Sequence, residues 1–198
     1  MAVCNSVISK SAAFYVDKDT MTEMTTRTRY VYKGSLLKLR VDSVTLPNGF
    51  KTIREIVEHP GAVAIIPLLA DNRILLTKQY RRAANRKMIE IPAGTLERGE
   101  SPISCAKREL AEETGYAPKR IRRLFSCFLA PGYSTEKIHF FLATDLVPKK
   151  TEHPPDETIT SHAMRLNECL RAILRGEIQD AKTICGLYYL ATTDSQKA

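Results

Sequence analysis

The residues with the clearest capacity for chemistry lie in the segment Gly94 to Tyr116, GTLERGESPISCAKRELAEETGY. Ser101 is a good N-cap, Pro102 fits the first helical position because its missing N–H costs nothing there, and Gly115 is a natural stop. On a helix between those limits Glu109 and Glu113 stand four residues apart, with Glu112 three from Glu109, so the carboxylates share one side. Like charges at that spacing repel and require a neutralising partner. Lys107 and Arg108 supply part of it. A hard divalent cation would supply more: Mg²⁺ accepts a few carboxylates, keeps waters and fills its octahedron with phosphate oxygens. Three glutamates alone read first as a solvated acidic face.

The rest of the chain must position this helix. Residues 1–27 are rich in Ser, Thr, Lys and Asp without periodicity and read as a flexible N-terminal arm. Residues 28–57 read as N-terminal strands: Leu37, Leu39, Val41 and Val44 interleave with polar residues, a turn follows at Pro47-Asn48-Gly49, and Lys51 to Val57 completes a β-hairpin. Residues 58–192 form the main domain, and 193–198 a tail. Within it, strands are expected at Ala62 to Leu69, Arg73 to Gln79, Met88 to Ile91, Arg122 to Phe128 and His139 to Leu146. Ile103, Ala106 and Leu110 give the first helix a core-facing stripe. Leu166, Cys169, Leu170, Ile173 and Leu174 give a second amphipathic helix, stopped by Gly176. Asp180 caps a third through Ile184, Leu187, Tyr188 and Ala191. Strands first and helices later predict an α+β fold, an α/β/α sandwich with a mixed central sheet and an N-terminal β-hairpin.

Composition removes several function classes. The 198 residues hold 43% apolar and 26% charged residues, ordinary values for a folded domain. The longest apolar stretch, Ala62 to Ala70, is half of what a spanning helix needs and contains Pro67. Five scattered cysteines without a CxxC pair, behind an N-terminus without a secretory pattern, predict a cytoplasmic protein with reduced thiols. The net charge of +8 favours an anionic partner. The basic run Lys119, Arg120, Arg122, Arg123 lacks any accompanying nucleic-acid motif and reads as a solvated face, so neither nucleic acid nor membrane is expected as a partner.

The pattern G-x5-E-x7-R-E-L-x-E-E-x-G, at Gly94, Glu100, Arg108, Glu109, Leu110, Glu112, Glu113 and Gly115, resembles the Nudix box. Tyr116 stands where that family more often has an aliphatic residue. The resemblance implies the Nudix α/β/α sandwich and hydrolysis of a nucleoside diphosphate linked to another moiety. It implies Glu109 and Glu113 as principal metal ligands, with Glu100 and the Ala93 carbonyl joining them. Glu112 supports the cluster, and Arg108 is a pivot that pairs with a carboxylate. The implied cofactor is Mg²⁺, with Mn²⁺ possible.

Outside the box the chain resembles the ADP-ribose pyrophosphatase branch, over about Tyr30 to Leu190. The matching runs are REIVEHPGAVAIIPL from Arg54, KQYR at Lys78 to Arg81, EIPAG at Glu90 to Gly94, and APGYSTEKIHFFLA around Pro131. This implies Mg²⁺-dependent hydrolysis of ADP-ribose to AMP and ribose 5-phosphate. Arg54 and Arg81 would contact phosphates or the adenine side, Glu136 the terminal ribose, and Pro131 would mark ADP-ribose preference. The implied base is Glu157 in EHPPDETIT, with Asp156 and Glu152 as alternatives; Pro155 departs from the two-acid spacing of some relatives. Branch members are homodimers that exchange N-terminal strands, and Tyr30 or Tyr32 would stack on adenine. The alternatives are a Nudix hydrolase of another nucleoside diphosphate sugar or dinucleotide, and a non-catalytic ADP-ribose sensor, against which the intact glutamate set argues.

Overall fold

A computed structural model describes residues 22–150 and 159–194. Strands β1 (Met24–Lys33), β2 (Lys38–Thr45) and β3 (Lys51–Glu58) form an antiparallel N-terminal sheet in that order. The β2–β3 turn closes as its sequence predicts, with the Asn48 side chain accepting from the Phe50 N–H at 3.0 Å. One boundary is corrected. β1 begins at Met24, inside the stretch assigned to the arm, because Thr25 and Thr28 are β-branched residues that pair with Val44 and Asp42 of β2.

The main sheet has the order β7-β4-β9-β8. Its strands are β4 (Ala62–Pro67), β7 (Ala93–Thr95), β8 (Tyr116–Phe128) and β9 (Lys137–Pro148). β4 runs parallel to β9 and antiparallel to β7, which makes the sheet mixed, as expected. A third sheet orders β10 (Ile159–Arg165), β5 (Arg73–Arg81) and β6 (Arg86–Glu90).

β4 is buried along its whole length, so both of its faces must be covered. Val63 and Ile65 face helix α1 (Pro102–Thr114) through Cys105, Ala106 and Leu110. Ala62, Ala64 and Ile66 face the opposite core, where Cys169 and Ala172 of α2 (Leu166–Leu174) and Leu187 and Leu190 of α3 (Ala181–Asp194) pack. Helices on both faces of a mixed sheet are the sandwich that the strand and helix order predicts. No helix among the described residues is long and apolar enough to cross a membrane.

α1 is capped as its sequence dictates: Ser101 accepts from the Ser104 N–H at 3.2 Å, and Gly115 ends the helix at φ 72°. Two assignments at helix ends are corrected. Ile103 is exposed in the first turn, ahead of Cys105 and Ala106 where burial begins, and Leu174 is exposed in the last turn of α2, whose buried residues are Cys169 and Ala172. β8 starts at Tyr116, directly after the α1 stop, rather than at Arg122. β7 and β10 carry no sequence signal of their own: β7 is only Ala-Gly-Thr, and β10 reads as a strand because it pairs with β5 from Ile159–Gln79 to Arg165–Arg73.

Candidate active site

Pairing to β4 holds Ala93, Gly94 and Thr95 beside the sheet centre, and α1 lies across them. The approach is so close that a Cβ on Gly94 would overlap the carboxylate of Glu109. Glycine here leaves the space in which the Glu109 carboxylate lies against the strand, and it is space rather than backbone angle that matters. One turn further on, Glu113 is buried, and its Oε2 accepts from the Ala93 N–H at 3.3 Å. The strand thus seats both carboxylates that the helical spacing brings together.

Arg108 organises the remaining acids. Its Nε and Nη2 donate to the two carboxylate oxygens of Glu100 at 3.0 and 2.9 Å, and its Nη1 donates to Glu109 at 2.8 Å and Glu112 at 3.0 Å. One planar fork thereby serves three carboxylates. The hydrogen bond from Arg108 holds the Glu100 carboxyl down at about 2. Beneath the fork, burial pushes the Cys105 thiol up to about 12, so it is an inert packing group.

These residues border a cleft of about 650 Å³, within the range of small-molecule sites. Ala93, Gly94, Glu109 and Glu113 line it from β7 and α1, while Arg81 and Glu136 line it from β5 and from the turn before β9. That turn is fixed by β3: the Val57 N–H donates to Tyr133 O at 2.8 Å, the Thr135 N–H donates to Val57 O at 3.0 Å, and the His59 N–H donates to Thr135 Oγ1 at 2.9 Å. Arg81 makes a two-pronged pair with Glu90, at 2.8 and 2.7 Å. Lys182 also donates to Glu90, at 2.5 Å, and to Asp180 at 2.9 Å.

Several sequence expectations are corrected by these placements. Arg54 does not line the cleft; it pairs with Glu23 on the exposed N-terminal sheet. Pro131 is exposed and outside the cleft lining, although Leu129 and Glu136 of the same loop border it. Glu100 and Glu112 do not line the cleft; both are held on the Arg108 guanidinium. Tyr30 donates to Glu58 at 3.1 Å, and neither Tyr30 nor Tyr32 lines the cleft of its own chain. Glu157, Asp156 and Glu152 lie outside the described residues. Sequence reading missed Glu90, Lys182 and the second role of Asp180. Their only linear signal is position: Glu90 opens the EIPAG run, and Asp180 and Lys182 frame the start of α3.

Among the described residues no three acidic, imidazole or thiol side chains close on one point. The donors bordering the cleft are nevertheless carboxylate oxygens, of Glu109 and Glu113 around the Gly94 cradle and of Glu136. That chemistry suits a hard divalent cation such as Mg²⁺ or Mn²⁺ and does not suit a thiophilic metal.

Residues 58–186 match the NUDIX domain, and residues 23–57 match the nucleoside diphosphate sugar hydrolase N-terminal domain. The chain is 37% identical to the ADP-ribose pyrophosphatase of Bacillus subtilis (strain 168) over 90% of its own length and 98% of the relative's. It is 40% identical to the methanol dehydrogenase activator of Bacillus methanolicus, covering 88% and 96%. It is 33% identical to the GDP-mannose pyrophosphatase of Escherichia coli (strain SMS-3-5 / SECEC), covering 71% and 78%. Among solved structures, an ADP compounds hydrolase superposes with a TM-score of 0.81 at 21% identity, covering 91% of this chain and 98% of that one, a likeness of fold. The chain belongs to the Nudix family and is a pyrophosphohydrolase of ADP-ribose or related nucleoside diphosphate sugars.

Proposed function

We propose that the chain hydrolyses the pyrophosphate bond of ADP-ribose to AMP and ribose 5-phosphate, with Mg²⁺ or Mn²⁺ held by Glu109 and Glu113. The observation that carries this is the meeting of three chemistries in one cleft: the carboxylates seated at Gly94, the guanidinium of Arg81, and the carboxylate of Glu136. When bound, the metal offsets diphosphate charge and lowers the pKa of an attacking water. Arg81 offers fork donors to phosphate oxygens, and Glu136 accepts from two sugar hydroxyls. Arg108 keeps Glu109 in place through its own pairing, while Glu112 and Glu100 hold Arg108. Glu157 is the base in this reading, with Asp156 and Glu152 as substitutes.

The proposal includes a homodimer. All ten residues of β1 are exposed, among them Tyr30, Val31 and Tyr32, which leaves aromatic and aliphatic side chains of this sheet uncovered in a single chain. Arg54 on the same sheet stands away from its own cleft and would serve the partner's.

The test is kcat/KM on ADP-ribose, ADP-glucose and GDP-mannose with excess Mg²⁺, for the parent chain and Glu136→Ala. ADP-ribose is expected to be the best substrate and to lose at least about tenfold in the variant, the worth of one or two hydrogen bonds to a charged group. Faster cleavage of GDP-mannose by the parent chain overturns the ADP-ribose reading and favours the related sugar.

A further inference from the structure

Resting on that reading of the cleft, we propose that Lys182 is a positioning residue: by sharing the buried carboxylate of Glu90 with Arg81, it fixes the guanidinium that meets the substrate's phosphates. Exposure grades across the cluster in the direction this requires. The Arg81 side chain is 40% exposed, Lys182 11% and Glu90 3%: Arg81 and Lys182 both border the cleft, Arg81 the more open of the two, and Glu90 stands behind them. Glu90 takes both prongs of Arg81 and the ammonium of Lys182 at the same time. Burial alone would raise its carboxyl, but the Arg81 hydrogen bond and the Lys182 charge outweigh burial and leave it lowered.

The start of α3 sets where Lys182 sits. Asp180 Oδ2 accepts from the Thr183 N–H at 2.9 Å, and its Oδ1 accepts from Lys182 at 2.9 Å. Thr183 Oγ1 in turn accepts from the Ile91 N–H at 2.9 Å. The first turn of α3 therefore grips Glu90 and Ile91, the two residues that lead into the metal-site strand through Pro92. Asp180 would cap α3 without Lys182, because Thr183 already supplies a backbone and a hydroxyl donor. An ammonium only 11% exposed is a costly way to fill space, whereas a second cation on Glu90 has a clear effect. Without Lys182, Arg81 becomes the sole counter-ion of a buried carboxylate and is drawn off the substrate.

The experiment compares Lys182→Met, Lys182→Arg, Arg81→Met and the double variant Arg81→Met/Lys182→Met. The readouts are kcat and KM for ADP-ribose, and ADP affinity by calorimetry, which needs no turnover. Lys182→Met is expected to raise KM and the ADP Kd about tenfold with kcat within about threefold, and Lys182→Arg to restore most of the affinity. In the double variant the Lys182 change adds less than about twofold to the Arg81 change, because both act through one contact. Fully additive effects, or an unchanged ADP Kd in Lys182→Met, overturn the proposal. A loss of active protein without any change in KM or Kd assigns Lys182 to stability and overturns it equally. No measurable ADP binding by the parent chain removes Arg81 as a phosphate contact, and the Lys182 role with it. Failure of the ADP-ribose reading shows separately, as absent turnover with the ADP affinity pattern intact.

Discussion

Replacing Arg108 by Met keeps the length of the side chain and removes every donor that gathers Glu100, Glu109 and Glu112. The largest readable consequence lies on Glu100, whose carboxyl stands at about 2 instead of 4.5, chiefly because of the Arg108 hydrogen bond. That difference corresponds to a ceiling of about 3 kcal/mol. Solvent reaching the rim of the cleft screens the pair, so a contribution of about 1–2 kcal/mol is expected. A carboxylate whose folded pKa is depressed stabilises the fold above its unfolded value and loses that contribution as pH falls through the folded one. The gap between the parent chain and Arg108→Met, measured by urea unfolding followed by circular dichroism, should therefore be full at pH 7 and close between pH 4.5 and 2. Turnover at pH 7 should fall about 10- to 100-fold, the usual result when a residue that holds metal ligands is lost. A stability gap independent of pH over that window, or normal turnover, would refute the role given to Arg108.

Four further outcomes are expected. Glu113→Gln keeps an acceptor for the Ala93 N–H but removes the charge proposed to hold the metal, so turnover should drop by at least about 100-fold with an unchanged thermal melt. Gly94→Ala forces a methyl into the place of the Glu109 carboxylate, the free end of a flexible side chain that swings aside, so most of the activity should be lost with less than about 1 kcal/mol of stability in chemical denaturation. Thr183→Val orphans the buried Ile91 N–H and should cost about 1–3 kcal/mol by the same assay. Glu157→Gln should lower kcat with KM little changed in steady-state kinetics; a change confined to KM would move that residue from base to binding group.

How far the sequence reaches is clear from particular residues. The cap at Ser101, the stop at Gly115 and the four-residue spacing of Glu109 and Glu113 are local facts, and all three appear in α1 as read. The alternation in β2 and β3 likewise survives as a hairpin. What linear reading could not supply is anything set by contacts between distant elements. Gly94 matters because of where α1 crosses β7, and Glu90 finds Lys182 across more than ninety residues. Arg54 and Pro131 show the converse: both lie within runs that resemble the ADP-ribose branch, yet a single chain leaves them outside the cleft. Ile103 and Leu174 fit their helical stripes by angle but stand in end turns that the sandwich does not cover.

In the proposed function, the carboxylates seated at Gly94 make this cleft a metal-dependent pyrophosphohydrolase site. The most direct measurement is chromatographic product identification after incubating the chain with ADP-ribose, with and without Mg²⁺, in parallel with Glu113→Gln. AMP and ribose 5-phosphate in equal amounts, formed only with the metal and nearly absent with the variant, are the predicted result. Equal product yield from parent and variant, or no cleavage by the parent chain, would contradict it.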